Sequence, residues 1–158
     1  MMEWVHVVRW LHIIGATVLL GTGAGIAFFM LQAHRTNDAR IIAHTAQTVV
    51  TADFLFTTLA VIAQPVSGAL LATQMGWKLT EGWIALSLAL YVATGLFWLP
   101  VVWLQIQLRD MARAAALDRV GLPDRYHRFY RIWFAFGFPA FAAVLAILWL
   151  MLAKPRIW

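Results

Sequence analysis

Four stretches of more than twenty mostly apolar residues, roughly 4–31, 48–73, 83–108 and 129–152, leave this chain few ways to fold. A helix that crosses a bilayer needs about 20 such residues, and a membrane interior forces every backbone polar group to be satisfied within the segment. The expected fold class is therefore all-α, an integral membrane four-helix bundle, with residues 1–158 forming a single transmembrane domain. Only 12% of the residues are charged and 63% are hydrophobic. A soluble domain carries about 25% charged residues, so the chain is too poor in charge to solvate a globular surface. The first stretch reads as a span and not as a signal peptide. Its apolar run is far longer than an h-region of about 7–15 residues, and Glu3, Arg9 and His12 interrupt its early part.

The net charge of +5 is explained by the placement of basic residues at helix ends, and no nucleic-acid-binding motif is present. The absence of cysteine excludes disulfides, iron–sulfur clusters, thiolate metal sites and the attachment motif of c-type haem.

The connections set the orientation. Arg35, Arg40, Arg109, Arg113, Arg119, Arg125, Arg128 and Arg131, eight in all, collect on one side, whereas Arg9, Lys78, Lys154 and Arg156, four, lie on the other. The positive-inside rule then puts both termini outside (N-out/C-out) and the two Arg-rich connections in the cytoplasm, as expected of a multi-pass protein of a bacterial inner membrane. Helix 2 is expected to start as early as Asp38 and to kink at Pro65, whose ring removes a backbone donor. Residues Met111 to Leu117 are expected to extend helix 3 beyond the membrane, with Gly121 and Pro123 ending it. Gln105 and Gln107 mark its exit. Gly21 and Gly25 form a G-x-x-x-G pair that permits close helix approach, within the bundle or in a homo-oligomer.

Within the first span, Arg9 and His12 stand three residues apart and share a helix face, and Gly15 leaves that face bare one turn further on. Ionisable groups inside a span are expensive and mark candidate functional sites. Gln64 and Ser67 of helix 2, and Ser87 and Tyr91 of helix 3, are expected at the same depth, beside an apolar end of helix 4. One imidazole, an apolar wall, a glycine gap and a basic group toward the surface suit a b-type haem. His12 would ligate the iron, Gly15 would give ring clearance, and Arg9 or Lys78 would meet the propionates. The competing reading makes His12 a structural residue bonded to a neighbouring helix, to Gln64 or Tyr91. His6 faces elsewhere and is interfacial. His34, His44 and His127 gather at the Arg-rich side, where two of them could hold a second haem, although loop-flanking histidines are ordinarily surface residues. Asp53, the one acidic residue deep in a span, is a proton relay, or it pairs with Arg131 or hydrogen-bonds threonines across the bundle.

Two places resemble a known family. Trp10-Leu11-His12-Ile13-Ile14-Gly15, with the small residues up to Gly25, resembles the first helix of HemJ. Tyr126-His127-Arg128-Phe129-Tyr130-Arg131-Ile132, then Pro139 and Lys154-Pro155, is similar to its fourth helix. HemJ proteins are four-helix bacterial membrane proteins that bind b-type haem and oxidise protoporphyrinogen IX to protoporphyrin IX. The resemblance covers helices 1 and 4, is weaker in helix 2, and implies His12 as proximal ligand. It fails in helix 3, where HemJ-like proteins carry Trp-x-x-x-Lys and use the lysine as second axial ligand. Here Trp83 is followed by Ser87 in the lysine position. The pattern Trp83…Ser87-Leu88…Tyr91…Phe97-Trp98-Leu99-Pro100 looks like a sister group of predicted bacterial integral membrane proteins of unknown function.

Two functions are thus expected of the sequence. One is a haem-b redox protein that exchanges electrons with quinone or a periplasmic partner, or oxidises a tetrapyrrole or quinol. The other is a non-redox membrane protein, a transporter subunit or assembly partner, held by a polar network of His12, Asp53 and Gln64.

Overall fold

A computed structural model of the protein describes residues 2–158. Among the described residues four helices are long and apolar enough to cross a membrane: α1, Met2–Thr36; α2, Ala39–Gln74; α3, Gly82–Asp118; and α4, Asp124–Ala153. They run up and down in chain order, so that all four Arg-rich helix ends fall at one end of the bundle and both termini at the other. At 30 to 37 residues the helices are about 45–55 Å long, against a hydrocarbon core of about 30 Å. They therefore project, and at the Arg-rich end His34, Arg35 and residues 109–128 stand beyond the apolar spans.

Local chemistry sets the boundaries. Asn37 turns the chain in the left-handed region (φ 54°), and the Asp38 carboxylate then caps α2, accepting from the Arg40 N–H at 2.8 Å. The helix begins where the sequence places it. In α3 the charged residues after Leu108 continue the helix to Asp118, and Arg119 ends it in the left-handed region. At the terminal end the C-terminal tail folds back over Gly82. A Cβ there would fall 2.8 Å from Ile157 Cβ, so only glycine admits the tail. The Trp158 indole donates to the Thr80 carbonyl at 3.2 Å, and the Lys154 ammonium stands 5.8 Å from the Trp77 and Trp83 rings.

Helix α2 is not uniformly α-helical. Asp53–Thr57 form a π-turn, in which the Thr58 N–H reaches back five residues to the Asp53 carbonyl. The extra residue re-aims the helix: the part before the turn packs against α3 and α1, and the part after it packs mainly against α1. Further on, Pro65 deprives the Val61 carbonyl of its donor. The Tyr91 hydroxyl of α3 donates to that carbonyl instead, and α2 continues unbroken to Gln74.

Packing is dense at the Arg-rich end, where Met30, Ile42, Leu108, Ala112 and Tyr126 are completely buried. A smaller cluster of Ala72, Trp83, Ile84 and Leu150 closes the terminal end. Between them α3 and α4 stay tightly paired while α1 and α4 barely touch, which leaves an apolar cavity of about 500 Å³ in the middle of the bundle.

Candidate functional site

The residues singled out in the first span meet α2, and each does so in a specific way. His12 Nδ1 lies 2.8 Å from Ser67 Oγ. Ser67 Oγ also lies 2.7 Å from the Ala63 carbonyl and 3.2 Å from the Gln64 carbonyl of its own helix, and when its one proton goes to either of them its oxygen accepts from His12. In that arrangement the imidazole carries its proton on Nδ1, and Nε2 keeps a free lone pair. Gly68, the residue after Ser67, lets the ring approach: a Cβ there would stand 3.3 Å from His12 Cε1. One turn earlier, the Gln64 amide donates to the His12 carbonyl oxygen at 2.8 Å, using the lone pair that the α-helical bond leaves over.

Gly15 plays a different part from the one expected. The space above it is occupied by the Gln64 amide, since a Cβ there would meet Gln64 Nε2 at 2.3 Å. It is a docking notch for a neighbouring side chain and offers no clearance for a ring. Neither Gln64 nor Tyr91 binds the His12 imidazole; Ser67 does. The Ser87 hydroxyl donates to the Trp83 carbonyl of its own helix at 2.7 Å and is buried, with 2% exposure. Arg9 reaches the sulfur of Met75 at 3.6 Å, and Lys78 lies exposed in the α2–α3 connection. Both basic residues are at the terminal end, and neither forms an ion pair among the described residues.

His12 stands one turn outward of Ala16, which belongs to the wall of the central cavity. Deeper in that cavity is a cluster that the sequence only half disclosed. Asp53, at the start of the π-turn, is 4% exposed and close to Thr57, Trp98 and Gln105. Thr57 Oγ1, Trp98 Nε1 and Gln105 Oε1 nevertheless have no partner at hydrogen-bonding geometry among the described residues. Gln105, expected to mark the exit of helix 3, is instead almost wholly buried. Asp53 makes no ion pair with Arg131 among the described residues, and the threonine beside it, Thr57, belongs to its own helix and not to one across the bundle.

At the Arg-rich end His34 stacks on Tyr130 at 3.6 Å and lies edge-on to His127 at 5.9 Å, while His44 borders a separate groove beside Gly21 and Gly25. Among the described residues no three or more His, Cys, Asp or Glu are grouped to hold a metal ion. A haem iron would need only His12 from this chain.

A family model for predicted integral membrane proteins, DUF2269, matches residues 6–155. The chain belongs to DUF2269. The match supports the group of predicted membrane proteins toward which helix 3 pointed, and not HemJ specifically. No curated protein matches the chain, and no solved structure does. As a DUF2269 protein it is an integral membrane protein with four spans in contact with the lipid bilayer.

Proposed function

We propose that this protein is a membrane redox protein that holds a b-type haem through His12, in a bacterial inner membrane with both termini periplasmic. The observation that carries the reading is the held imidazole. Metal-bound histidines almost always donate their second ring N–H to a fixed acceptor, which sets the tautomer and the ring orientation. His12 Nδ1 and Ser67 Oγ form such a pair, and Nε2 has no partner among the described residues. The haem would supply one-electron chemistry. Around it this chain's residues have separate tasks: Ser67 orients His12, Gly68 admits its ring, and Arg9 and Lys78 are free to meet the propionates. Ser87, tied to its own helix, does not stand in for the lysine of HemJ-like proteins, and His12 is the one residue assigned to the iron. Electron exchange with a quinone or a periplasmic partner, or oxidation of a tetrapyrrole or quinol, follows as the use of such a centre.

The test is the visible spectrum of protein purified from haem-replete cells. A Soret band that His12→Ala removes supports the reading, and a shift of that band with carbon monoxide would show an open coordination position. Colourless wild-type protein overturns it.

One observation favours a second reading. The Gln64 amide that fills the notch at Gly15 joins α1 to α2 without any cofactor, as in a non-redox transporter subunit or assembly partner. There His12→Ala lowers thermal stability and changes no chromophore.

A further inference from the structure

The central cavity is larger than packing defects allow and unlike them in chemistry. Cavities of about 300–1,000 Å³ are the size of ligand sites, and this one, at about 500 Å³, lies within that range. Its wall is almost wholly apolar, and its mouth opens between α1 and α4, where Phe28 and Phe138 of the lining are exposed to the surroundings. In a membrane those surroundings are lipid, so an occupant enters sideways from the bilayer.

At its inner half the lining changes. Asp53, Thr57, Trp98, Gln105 and Trp133 all belong to the wall. Thr57 Oγ1, Trp98 Nε1, Gln105 Oε1 and Trp133 Nε1 have no hydrogen-bond partner among the described residues. A few buried unsatisfied groups are normal per 100 residues, but these four adjoin one cavity. The atoms themselves are buried, on residues that line the cavity, and three of these residues stand beside the Asp53 carboxyl. They comprise two indole donors, a hydroxyl that both donates and accepts, and an amide oxygen that accepts. Asp53 is the one charged residue type in the lining, and no Lys or Arg is present. An anionic headgroup would meet a carboxyl and no cation, which excludes fatty acids and phospholipid phosphates as the fitting occupant.

We infer that this cavity binds a lipid-soluble quinone or quinol, its oxygen-bearing ring at the Asp53–Thr57–Gln105 end and its apolar tail along α1 and α4 toward the lipid. The carbonyls of a quinone accept from the tryptophan and threonine donors, and the hydroxyls of a quinol donate to Gln105 and Asp53, so one cluster serves both members of the couple. Binding requires nothing from His12. Use of the couple as a redox partner rests on the haem proposal.

Gly95 and Gly137 supply the test, because both line the cavity and an added Cβ at either meets nothing within 4 Å. A side chain at either position therefore enters the cavity with its first carbon unobstructed. Decylubiquinone is titrated into the purified full-length protein in nanodiscs, with tryptophan fluorescence and the unfolding temperature as readouts. The expected result is saturable quenching with a rise in unfolding temperature. Gly137→Leu and Gly95→Leu remain folded and bind at least tenfold more weakly, and Thr57→Val weakens binding comparably. Unchanged binding in both leucine variants overturns the assignment, as does equal or tighter binding of palmitate or of the lipophilic cation tetraphenylphosphonium. The two proposals fail separately. His12→Ala protein retains quinone binding whether or not it loses a Soret band, and a haem protein that ignores quinone sinks only the cavity assignment.

Discussion

At the scale of single residues, the membrane helices are joined by exchanges of backbone and side-chain polar groups that a local reading does not resolve. Arg9, His12 and Gly15 were legible as one face of a helix because their spacing is fixed by the helix itself. What that face meets depends on the rotation of α2, which no local spacing encodes, and so Gln64 in the notch of Gly15 was not foreseen. Ser67 stood at the right depth, but nothing in the sequence distinguished it from Gln64 as the partner of the imidazole. Pro65 was legible as a break, yet its remedy, the Tyr91 hydroxyl, comes from another helix. Tyr91→Phe leaves the Val61 carbonyl unpaired in an apolar setting. Interhelical hydrogen bonds in membranes average about 0.6 kcal/mol and reach about 1.7, so we expect a loss of about 1 kcal/mol. In a Pro65→Ala background, where the substituted residue supplies its own N–H to that carbonyl, the same change should be nearly neutral. A double-mutant cycle on unfolding in detergent checks the coupling; equal losses in both backgrounds refute it.

At the scale of elements, four helices, the α2 cap at Asp38 and the extension of α3 past the membrane were all readable from length, caps and charge. The π-turn at Asp53–Thr57 was not, because it inserts one residue into an apolar run without any glycine or proline to mark it. Before it α2 packs against both α3 and α1, after it mainly against α1, and Asp53, the first residue of the turn, lies in the cavity wall. Gln105 misled for a related reason: a glutamine near the end of an apolar run reads as an exit until the partner helix is seen to cover it. The projecting ends of α1 and α4 are joined by aromatic stacking of His34 on Tyr130. Burial, and secondarily the neighbouring His127, lower the pKa of His34 from its usual 6.5. In the unfolded chain His34 takes up its proton at higher pH than in the fold, so stability is present above about pH 6.5 and falls as the pH drops below it. The unfolding temperature should fall on acidification from about pH 7 to 5, and the fall should be shallower in His34→Phe, which keeps the stack. An identical slope in the variant would assign the effect elsewhere.

At the scale of the whole molecule, the two ends differ in kind. One is a basic, densely packed collar, the other a lighter closure in which the C-terminal tail covers Gly82. The eight basic residues of the collar against four at the opposite end orient the protein with the collar in the cytoplasm under our proposal. Because the chain has no cysteine, single introduced cysteines report on topology without background. Trp158→Cys in intact cells should react with a membrane-impermeant maleimide, whereas Asn37→Cys should react only after permeabilisation. The reverse pattern would invert the proposed orientation. The proposed haem ligand was suggested by the sequence only through resemblance and one spaced pair, since a single imidazole leaves almost no pattern.

The bond between Tyr91 and Val61 also bears on how the chain is made. Helix α2 leaves the ribosome before α3, and until Tyr91 arrives its Val61 carbonyl has no donor in the lipid. Insertion of α2 alone is therefore incomplete, and the chain gains by delivering the second and third spans to the bilayer as one hairpin. A nascent protein stopped within the α2–α3 connection would expose this gap to whatever insertion machinery holds it.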